Sequence, residues 1–417
     1  MNIAVMGYGT IGEGVVSLIS KNHDTIVNGI RDNDIKVTHI LDLRDFPGDP
    51  YESIITKDFN DILNDNDVGL VVETMGGVHP AFDFSMSLLK AGKHVVTSNK
   101  QLVAEKGYEL LCQAEKSNVN YLFEASVGGG IPVITPLAQC LAANDITDIY
   151  GILNGTTNFI LTKMITQDME FNDALKLAQD NGYAEKDPTA DIEGFDAQRK
   201  LSILSSLCFG KHVDPDQITA RGITKLSLID VSYAQTCGYS IKLIAAAKKL
   251  GSGKISAIVA PMLVPGDSML SKTDDVFNAV LVHGNAVGDV LFYGRGAGKY
   301  PTASAVLGDV MDCIDHQSER KLISWGAPEN NYVIDPGERV TSLYVRCTTD
   351  DLPEAKKEIE SILGPITLLN RTGSSFNEFA FIIKTQRPEK DQVTLLEKLT
   401  SVSVKALLRV CSFDTEE

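Results

Sequence analysis

The segment "IAVMGYGTIG" (residues 3–12) decides the fold that the sequence predicts. A short apolar run at residues 3–6 leads directly into a glycine-rich turn, and residues 12–20 then have the pattern of a helix. A strand, a tight turn with glycines spaced G-x-G-x-x-G and a helix form the unit that opens dinucleotide-binding α/β domains. The segment therefore predicts a parallel sheet with a phosphate-binding turn at its first strand.

Each glycine of this turn has a physical role in that interpretation. The first permits the tight turn, the second lets a pyrophosphate approach the backbone, and the third lets helix and strand pack closely. The N-terminus of the helix offers N–H groups and a positive dipole to the phosphate. The predicted cofactor-binding residues here are Gly7, Gly9, Thr10, Ile11 and Gly12. Spacing alone does not exclude a purely structural glycine turn.

Apolar strands and helices alternate beyond this turn. The predicted strands are 37–43, 68–75, 93–100 and 119–127, and helical patterns separate the later ones. This alternation predicts a Rossmann-type α/β domain over residues 1–130, completed by a helix near 302–320.

The pattern changes after residue 130. Residues 131–320 mix strands and helices, which predicts an α+β second domain. Residues 321–339 are predicted as a linker because turn formers are frequent there. Residues 340–417 show the order strand, helix, strand, strand, helix, strand, which is typical of a ferredoxin-like domain.

The composition indicates a soluble protein with two or three domains. A chain of 417 residues is too long for one core, and its net charge of -17 argues against nucleic acid or an anionic membrane as partner. Its seven cysteines form no CxxC pair and fit reduced thiols. The first residues lack a signal-peptide pattern, and no apolar run approaches the ~18 residues of a membrane span. We therefore expect a cytoplasmic protein.

The end of the second strand carries two groups that select between cofactors. Asp42 is placed to hold a ribose 2′-hydroxyl, as in NAD, whereas Arg44 is placed to hold the 2′-phosphate of NADP. The sequence leaves NAD and NADP open.

Two further segments follow predicted strands of the same sheet. Lys100 closes "TSNK", and ligands of such sheets bind beyond the carboxyl ends of the strands, so this lysine is expected near the cofactor or is a surface lysine. Glu124 is followed by a glycine-rich loop whose carbonyl oxygens, together with the carboxylate, suit a hard cation. A flexible hinge explains the loop equally well.

The segment "DIEGFDAQRKLSIL" (residues 191–204) places an ion pair at the start of a predicted helix. Asp196 and Lys200 lie on the same helix face as Ile203 and Leu204, so the pair extends an apolar stripe. A solvated pair would lie opposite that stripe and contribute only about 0.3–0.5 kcal/mol. A buried lysine beside a carboxylate can instead act as a proton donor.

Taken together, the motifs resemble those of homoserine dehydrogenases. "GYGTIG", "TSNK", "FEASVGGGIP", "NGTTNFIL", "GYAEKDPTADIEGFDAQRKL" and "GRGAGKYPTASAVLGD" occur in the order seen in that family, over about residues 1–320. The resemblance implies NAD(P)-dependent interconversion of L-aspartate 4-semialdehyde and L-homoserine in threonine, methionine and isoleucine biosynthesis. It also implies that residues 131–320 form the catalytic and dimerisation domain, and it implies a small-molecule substrate, a homodimer or homotetramer, and the monofunctional form of the enzyme.

The resemblance also assigns roles to single residues. Lys200 and Lys100 correspond to the lysines that handle the C4 oxygen of the substrate and its proton, and which of them donates the proton stays open. The other correspondences are a carboxylate beside the lysine (Asp196), substrate-binding residues (Glu185, Tyr183 and Asn154), a glycine near the nicotinamide (Gly298) and a site for Na⁺ or K⁺ (Glu124, Val127, Gly129 and Ile131).

The last 80 or so residues resemble the ACT regulatory domain that many of these enzymes carry, which implies an amino-acid effector. Such domains usually have a glycine after the proline of the first loop, whereas here Glu354 follows Pro353. Threonine binding by this domain therefore stays open.

Two other functions remain compatible with the sequence. One is another NAD(P) dehydrogenase of similar plan that acts on a different amino-acid aldehyde or hydroxy acid. The other is a non-catalytic amino-acid sensor, which predicts that active-site residues are missing. A substrate panel separates the first, and the presence of every residue carried over above argues against the second.

Overall fold

Strands and helices alternate along the first part of the chain and are mixed in the rest. The strands are β1 (Asn2–Met6), β2 (Lys36–Leu41), β3 (Ile55–Thr56), β4 (Val68–Glu73), β5 (His94–Thr97), β6 (Tyr121–Leu122), β7 (Ile146–Ile152), β8 (Thr219–Ala220), β9 (Tyr239–Lys249), β10 (Ile255–Pro265), β11 (Phe277–Gly284), β12 (Gly288–Arg295), β13 (Val333–Ile334), β14 (Leu343–Thr348), β15 (Ile366–Leu369), β16 (Glu378–Ile383) and β17 (Ser403–Val410). The helices are α1 (Thr10–Lys21), α2 (His23–Gly29), α3 (Phe59–Leu63), α4 (Ala81–Lys90), α5 (Lys100–Ser117), α6 (Ala125–Gly128), α7 (Gly155–Gln167), α8 (Phe171–Asp180), α9 (Thr189–Ile192), α10 (Phe195–Phe209), α11 (Leu228–Thr236), α12 (Lys299–Asp315), α13 (Leu352–Leu363) and α14 (Glu389–Leu396).

The structure, a computed structural model, describes residues 1–30, 34–317, 319–371, 373 and 377–413. The chain divides into two units. The first comprises Met1–Ile146, Arg199–Pro215 and His283–Asn330, and the second comprises Thr147–Gln198, Asp216–Val282 and Asn331–Glu417. Among the described residues, no helix has both the length and the apolar character needed to cross a membrane.

The first unit contains a parallel sheet with the strand order β3-β2-β1-β4-β5-β6. The apolar side chains of β1 and β4 are buried, as expected for strands covered by helices on both faces. The order reverses at β1, and the carboxyl ends of β1 and β4 mark the place where such sheets bind their ligands. The predicted Rossmann-type fold is confirmed. The late helix α12 belongs to this unit and packs against α1.

The second unit is built on a mixed sheet in which β11, β7, β9, β10, β17, β14, β16 and β15 follow one another. The long strands β9 and β10 pair antiparallel along their whole length; β10 is buried except at its last residue, and β9 is buried over its central seven residues. Helix α7 follows β7 after two residues, which places the predicted site residue Asn154 at the junction of strand and helix.

The C-terminal part has the strand order β17-β14-β16-β15, the order of a ferredoxin-like fold. Its core packs apolar residues of β14 and β16 against those of α13. The predicted alternation of elements here is confirmed, and capping residues set where its helices begin. One example is Asp351, whose carboxylate caps α13 by accepting a hydrogen bond from the Glu354 N–H.

Candidate active site

The predicted dinucleotide turn connects β1 to α1. The Gly7 N–H donates to the Leu41 carbonyl at 2.8 Å, and the Gly7 carbonyl accepts from Thr74 Oγ1 at 2.9 Å, so both neighbouring strands hold the turn. Gly9 is the N-cap of α1 and supplies no side-chain cap. The first N–H groups of α1 are therefore left to a ligand, and this fits the pyrophosphate of NAD or NADP.

The side chains of Asp42 and Arg44 form an ion pair with each other. Arg44 Nε donates to Asp42 Oδ1 at 3.0 Å and Arg44 Nη2 donates to Asp42 Oδ2 at 2.8 Å. The backbone N–H of Tyr8 also donates to Asp42 Oδ2, at 2.8 Å. The hydrogen bonds from Arg44 hold the pKa of the Asp42 carboxyl well below its usual range. Asp42 therefore stays ionised, as an acceptor for a ribose hydroxyl must, and it keeps a cation beside it.

Lys100 is the first residue of α5, and the strand before it ends at Thr97. The Asn99 side chain caps this helix by accepting from the Leu102 N–H at 3.1 Å, and its amide donates to the Gly77 carbonyl at 2.6 Å. This arrangement fixes the direction in which α5 starts and therefore the position of Lys100.

Glu73 supports the start of α5, a role that the motif analysis did not assign to it. Thr97 Oγ1 donates to Glu73 Oε2 at 2.6 Å and accepts from the Asn99 N–H at 2.9 Å, and the Met75 N–H donates to Glu73 Oε1 at 2.7 Å. Glu73 is fully buried, and its burial raises the pKa of the carboxyl. The available signal was an acidic residue at the end of an otherwise apolar strand, which must find partners inside the protein.

The Thr97 hydroxyl links Glu73 to the start of α5, so its removal is expected to affect Lys100. We expect Thr97→Val to lower kcat about tenfold, equivalent to ~1.4 kcal/mol of lost positioning. Thr97→Ser keeps the hydroxyl and should retain most of the wild-type kcat. Steady-state kinetics of the two variants is the measurement, and equal values of kcat for valine and serine would contradict this role.

Glu124 differs from expectation in its local structure. It follows β6 and is the N-cap of the short helix α6, instead of ending a strand. Its carboxylate accepts backbone N–H groups from Val133 and Ile134 on Oε1 and from Thr135 on Oε2, at 2.6, 2.8 and 2.7 Å. These N–H groups belong to the start of the next helical turn, which has no other partners for them. The carboxylate is therefore mainly a helix cap.

The loop after Glu124 keeps the carbonyl groups that a cation site needs. Among the described residues, no hydrogen bond is recorded to the carbonyl oxygens of Val127, Gly129 and Ile131. Gly129 has φ +56°, and a Cβ there would lie 2.2 Å from the Gly296 carbonyl oxygen, so the loop approaches its neighbour too closely for any side chain. The described residues contain no group of three or more His, Cys, Asp or Glu arranged for a metal ion.

Gly298 is the N-cap of α12 and has φ +121°, which favours glycine. It supplies no side-chain cap, so the first N–H groups of α12 resemble those of α1 in being left to another partner.

Asn154 joins two carboxylates at the start of α7. Its Nδ2 donates to Asp191 Oδ1 at 2.7 Å and to Asp196 Oδ2 at 2.9 Å, while its Oδ1 caps α7 by accepting from the Thr157 N–H at 2.8 Å. The structure thus brings Asn154 and Asp196 together as predicted site residues and adds Asp191. The helix break at Gly194 lets the chain turn between the two carboxylates, and single-helix periodicity does not reveal that turn.

Asp196 and Lys200 lie four residues apart on α10 and are both buried, with 4% and 7% of their surface exposed. Ile203 and Leu204, which continue the same face, are buried as well. The pair therefore belongs to the buried face of the helix, and a solvated surface pair is excluded.

Tyr183 and Glu185 lie in the loop between α8 and α9, and both are exposed. The Tyr183 ring packs on Phe159 with 5.0 Å between centroids, and the Tyr183 carbonyl accepts from Thr156 Oγ1 at 2.7 Å. The structure does not record a hydrogen bond from either side chain to Asn154 among the described residues. Tyr183 and Glu185 are therefore close in sequence to Asp191 and Asp196, but they do not belong to the hydrogen-bonded group around Asn154.

Comparison with known proteins identifies two matching sequence families. The family described as "Homoserine dehydrogenase" matches residues 132–311, and the family described as "Homoserine dehydrogenase, NAD binding domain" matches residues 7–124. The homoserine dehydrogenase of Bacillus subtilis (strain 168) is 41% identical over 317 residues, which cover 75% of this chain and 72% of that protein.

Solved structures show the same relationship. A homoserine dehydrogenase from Thiobacillus denitrificans superposes with a TM-score of 0.89 at 33% identity and covers 98% of both chains. A hyperthermophilic archaeal homoserine dehydrogenase in complex with NADPH superposes with a TM-score of 0.63 at 26% identity, covering 75% of this chain and 96% of the other.

Proposed function

The chain belongs to the homoserine dehydrogenase family, and on that premise we propose which residues carry its chemistry. It is an NAD(P)-dependent oxidoreductase that interconverts L-aspartate 4-semialdehyde and L-homoserine. The reaction needs three things from the protein: a site for the dinucleotide, a site for the charged amino-acid end of the substrate, and a group that moves a proton at the C4 oxygen.

The amino-acid end of the substrate is held through Asn154, Asp191 and Asp196. The observation that supports this most strongly is the Asn154 amide, which bonds both carboxylates and fixes the oxygens that face it. Two carboxylates held side by side are suited to an ammonium group, since charge-assisted hydrogen bonds are about twice as strong as neutral ones. Tyr183 and Glu185, on the exposed loop before α9, complete the set by contacting the substrate when it is present.

Lys200 and Lys100 serve the C4 oxygen. When bound, the nicotinamide supplies or takes up the hydride at C4. In the reductive direction a protonated lysine donates a proton to the oxygen, and in the oxidative direction the neutral lysine removes it. Such acid–base catalysis contributes roughly 10²–10⁴-fold. Lys200 is the proposed donor because it is buried on α10, one turn after the buried carboxylate of Asp196. Lys100 orients the same oxygen.

Asp42 and Arg44 set the cofactor preference. A ribose 2′-hydroxyl donates to the ionised Asp42, whereas a 2′-phosphate requires the guanidinium of Arg44. We expect Arg44→Gln to raise the KM for NADP about five- to tenfold, near 1–1.4 kcal/mol, and to change the KM for NAD little. Asp42→Asn should do the reverse. Equal effects of each variant on both cofactors in initial-rate assays would contradict this division.

A monovalent cation, Na⁺ or K⁺, is proposed at the carbonyl groups of Val127, Gly129 and Ile131. Neutral carbonyl oxygens suit a hard cation. Glu124 contributes by shaping the loop through its three backbone hydrogen bonds.

We also propose a domain division into residues 1–130, 131–320 and 340–417, with 321–339 as a linker. The ferredoxin-like strand order supports an ACT-like domain that takes an amino-acid effector. A homodimer or homotetramer in the cytoplasm, acting in threonine, methionine and isoleucine biosynthesis, completes the proposal. The cysteines of the described residues are all free, which suits a reducing compartment.

The test is homoserine oxidation with NAD and NADP in turn, with and without K⁺ and threonine. We expect turnover with at least one cofactor and none with other hydroxy amino acids of similar size. Turnover of another hydroxy acid in preference to homoserine would overturn the assigned substrate roles.

A further inference from the structure

The second unit contains a cavity of about 400 Å³, and none of the proposed active-site residues lines it. Its floor is formed by apolar side chains of the long strands, namely Ala246, Ile258 and Met262. Its walls are the segment before β14, the residues after β16 and the end of β17. This volume is within the range of small-molecule sites, near its lower end.

The charged lining of this cavity is entirely basic. Arg339, Lys384 and Arg409 line it, and no aspartate or glutamate does. This segregation stands out because the chain as a whole has 55 acidic and 38 basic residues. Neither Arg339 nor Lys384 forms an ion pair with a carboxylate of the described residues. The cavity is therefore a local positive site in an acidic protein.

The one carboxylate behind the cavity does not balance these charges. Glu389 is buried and pairs with Arg409 at 2.5 Å and with Arg221 at 3.3 Å. One negative charge is thus shared by two guanidinium groups. Burial lowers the pKa of Arg409, Glu389 opposes this by raising it, and the charges of Arg221 and Arg339 lower it. The like charges around Arg409 repel one another in the structure as it stands.

Arg409 also has an unused hydrogen-bond donor. It is 6% exposed, and its Nη2 donates to the Pro336 carbonyl at 3.0 Å. Its Nε is buried and has no partner among the described residues. A buried donor without an acceptor is destabilising, so an acceptor brought by a ligand would be favoured.

We propose that this cavity binds a small organic oxyanion, a carboxylate or phosphate group attached to a short apolar body. The guanidinium groups provide the geometry that carboxylates and phosphates match, and the apolar floor holds the body of the ligand. The lining has no carboxylate to pair with an ammonium group, so an amino acid is a poorer ligand than the same molecule without its amino group.

The experiment measures binding to the full-length protein by isothermal titration calorimetry, at constant ionic strength balanced with NaCl. Butyrate and L-2-aminobutyrate form the critical pair because they differ only in the amino group, and inorganic phosphate tests whether the oxyanion suffices. We expect saturable binding of butyrate, with L-2-aminobutyrate at least about tenfold weaker. If phosphate binds as tightly as butyrate, the basic side chains alone account for the affinity. If phosphate binds more weakly, contacts between the apolar floor and the butyrate chain contribute as well. Binding of L-2-aminobutyrate equal to or tighter than butyrate would overturn the proposal.

Variants then locate the site. Lys384→Gln combined with Arg339→Gln removes two charges from the walls and leaves the buried Arg409 in place. We expect the Kd for butyrate to rise at least about tenfold, which corresponds to ~1.4 kcal/mol. The control Lys357→Gln removes an exposed lysine of α13 and should leave the Kd unchanged. An unchanged Kd in the double variant would refute the site, and thermal unfolding of both variants checks that they fold. Homoserine oxidation is assayed separately, so a failure of butyrate binding can be distinguished from a failure of the proposed enzymatic activity.

Discussion

Replacing Lys200 by methionine is expected to lower kcat by about 10²–10⁴-fold, the range that acid–base catalysis by a positioned side chain contributes. Methionine keeps an unbranched apolar stem in the buried face of α10 and removes only the charged amine. The reduction of aspartate semialdehyde and the oxidation of homoserine should both be affected, because the same proton moves in the two directions. KM for the cofactor should change little.

Two comparisons separate chemistry from damage to the fold. Lys116→Met removes an exposed lysine near the end of α5 and should leave kcat unchanged. Lys100→Met tests the second lysine, and a greater loss of kcat there than at Lys200 would reassign the proton donor. Removing the lysine also leaves Asp196 buried beside a neutral side chain, so thermal unfolding of Lys200→Met and of Lys200→Met with Asp196→Asn should be measured together.

Replacing Gly12 by alanine is expected to weaken cofactor binding about 100-fold or more, equivalent to at least ~2.7 kcal/mol. A Cβ at residue 12 would lie 1.9 Å from the Gly7 carbonyl oxygen and 3.0 Å from Thr74 Oγ1. The first of these is backbone held by two strands, so the turn itself must open. Fluorescence titration with NADPH or NADH measures the effect.

Two other glycine variants test the role of the turn in cofactor binding even if Gly12→Ala folds poorly. Gly9→Ala places its Cβ in open space, with no atom within 4 Å, so it should fold normally and obstruct only the approach of the pyrophosphate. Gly308→Ala lies on the exposed face of α12, also with no atom within 4 Å, and should bind cofactor as the wild type does. Normal cofactor binding by both Gly12→Ala and Gly9→Ala would show that the turn does not bind the dinucleotide.

The parallel sheet could be predicted because its signals are local. The run Ile3 to Met6, the glycine turn and the alternation of apolar strands with helices each follow from a few neighbouring residues. The boundaries were less accurate, since strand ends depend on hydrogen bonds to distant segments. The strand expected at 119–127 is reduced to Tyr121–Leu122 because Glu124 is drawn into capping the segment at 133–135.

The candidate site was predictable where residue type and spacing carry the information. Periodicity placed Asp196 and Lys200 on a buried face, and their low exposure agrees with it. The contributions of Glu73 and Asp191 were not predictable in the same way. Their partners, Thr97 and Asn154, are 24 and 37 residues away in the chain, and a sequence pattern does not specify which distant polar groups meet.

The position of β17 has a consequence for how the protein is made. This strand is the last along the described chain, yet it lies between β10 and β14 in the sheet and pairs with both. During synthesis β10 emerges long before β17, which pairs with its residues Met262 and Leu263, whereas β8, which pairs with Ile258 and Val259 of β10, has already been made. At a synthesis rate of ~5–20 residues per second, the interval between the synthesis of β10 and that of β17 is on the order of ten seconds. In a growing chain the part of this edge at Met262 and Leu263 thus stays open for that time, which makes it a place where chaperones can bind and where truncated chains would aggregate.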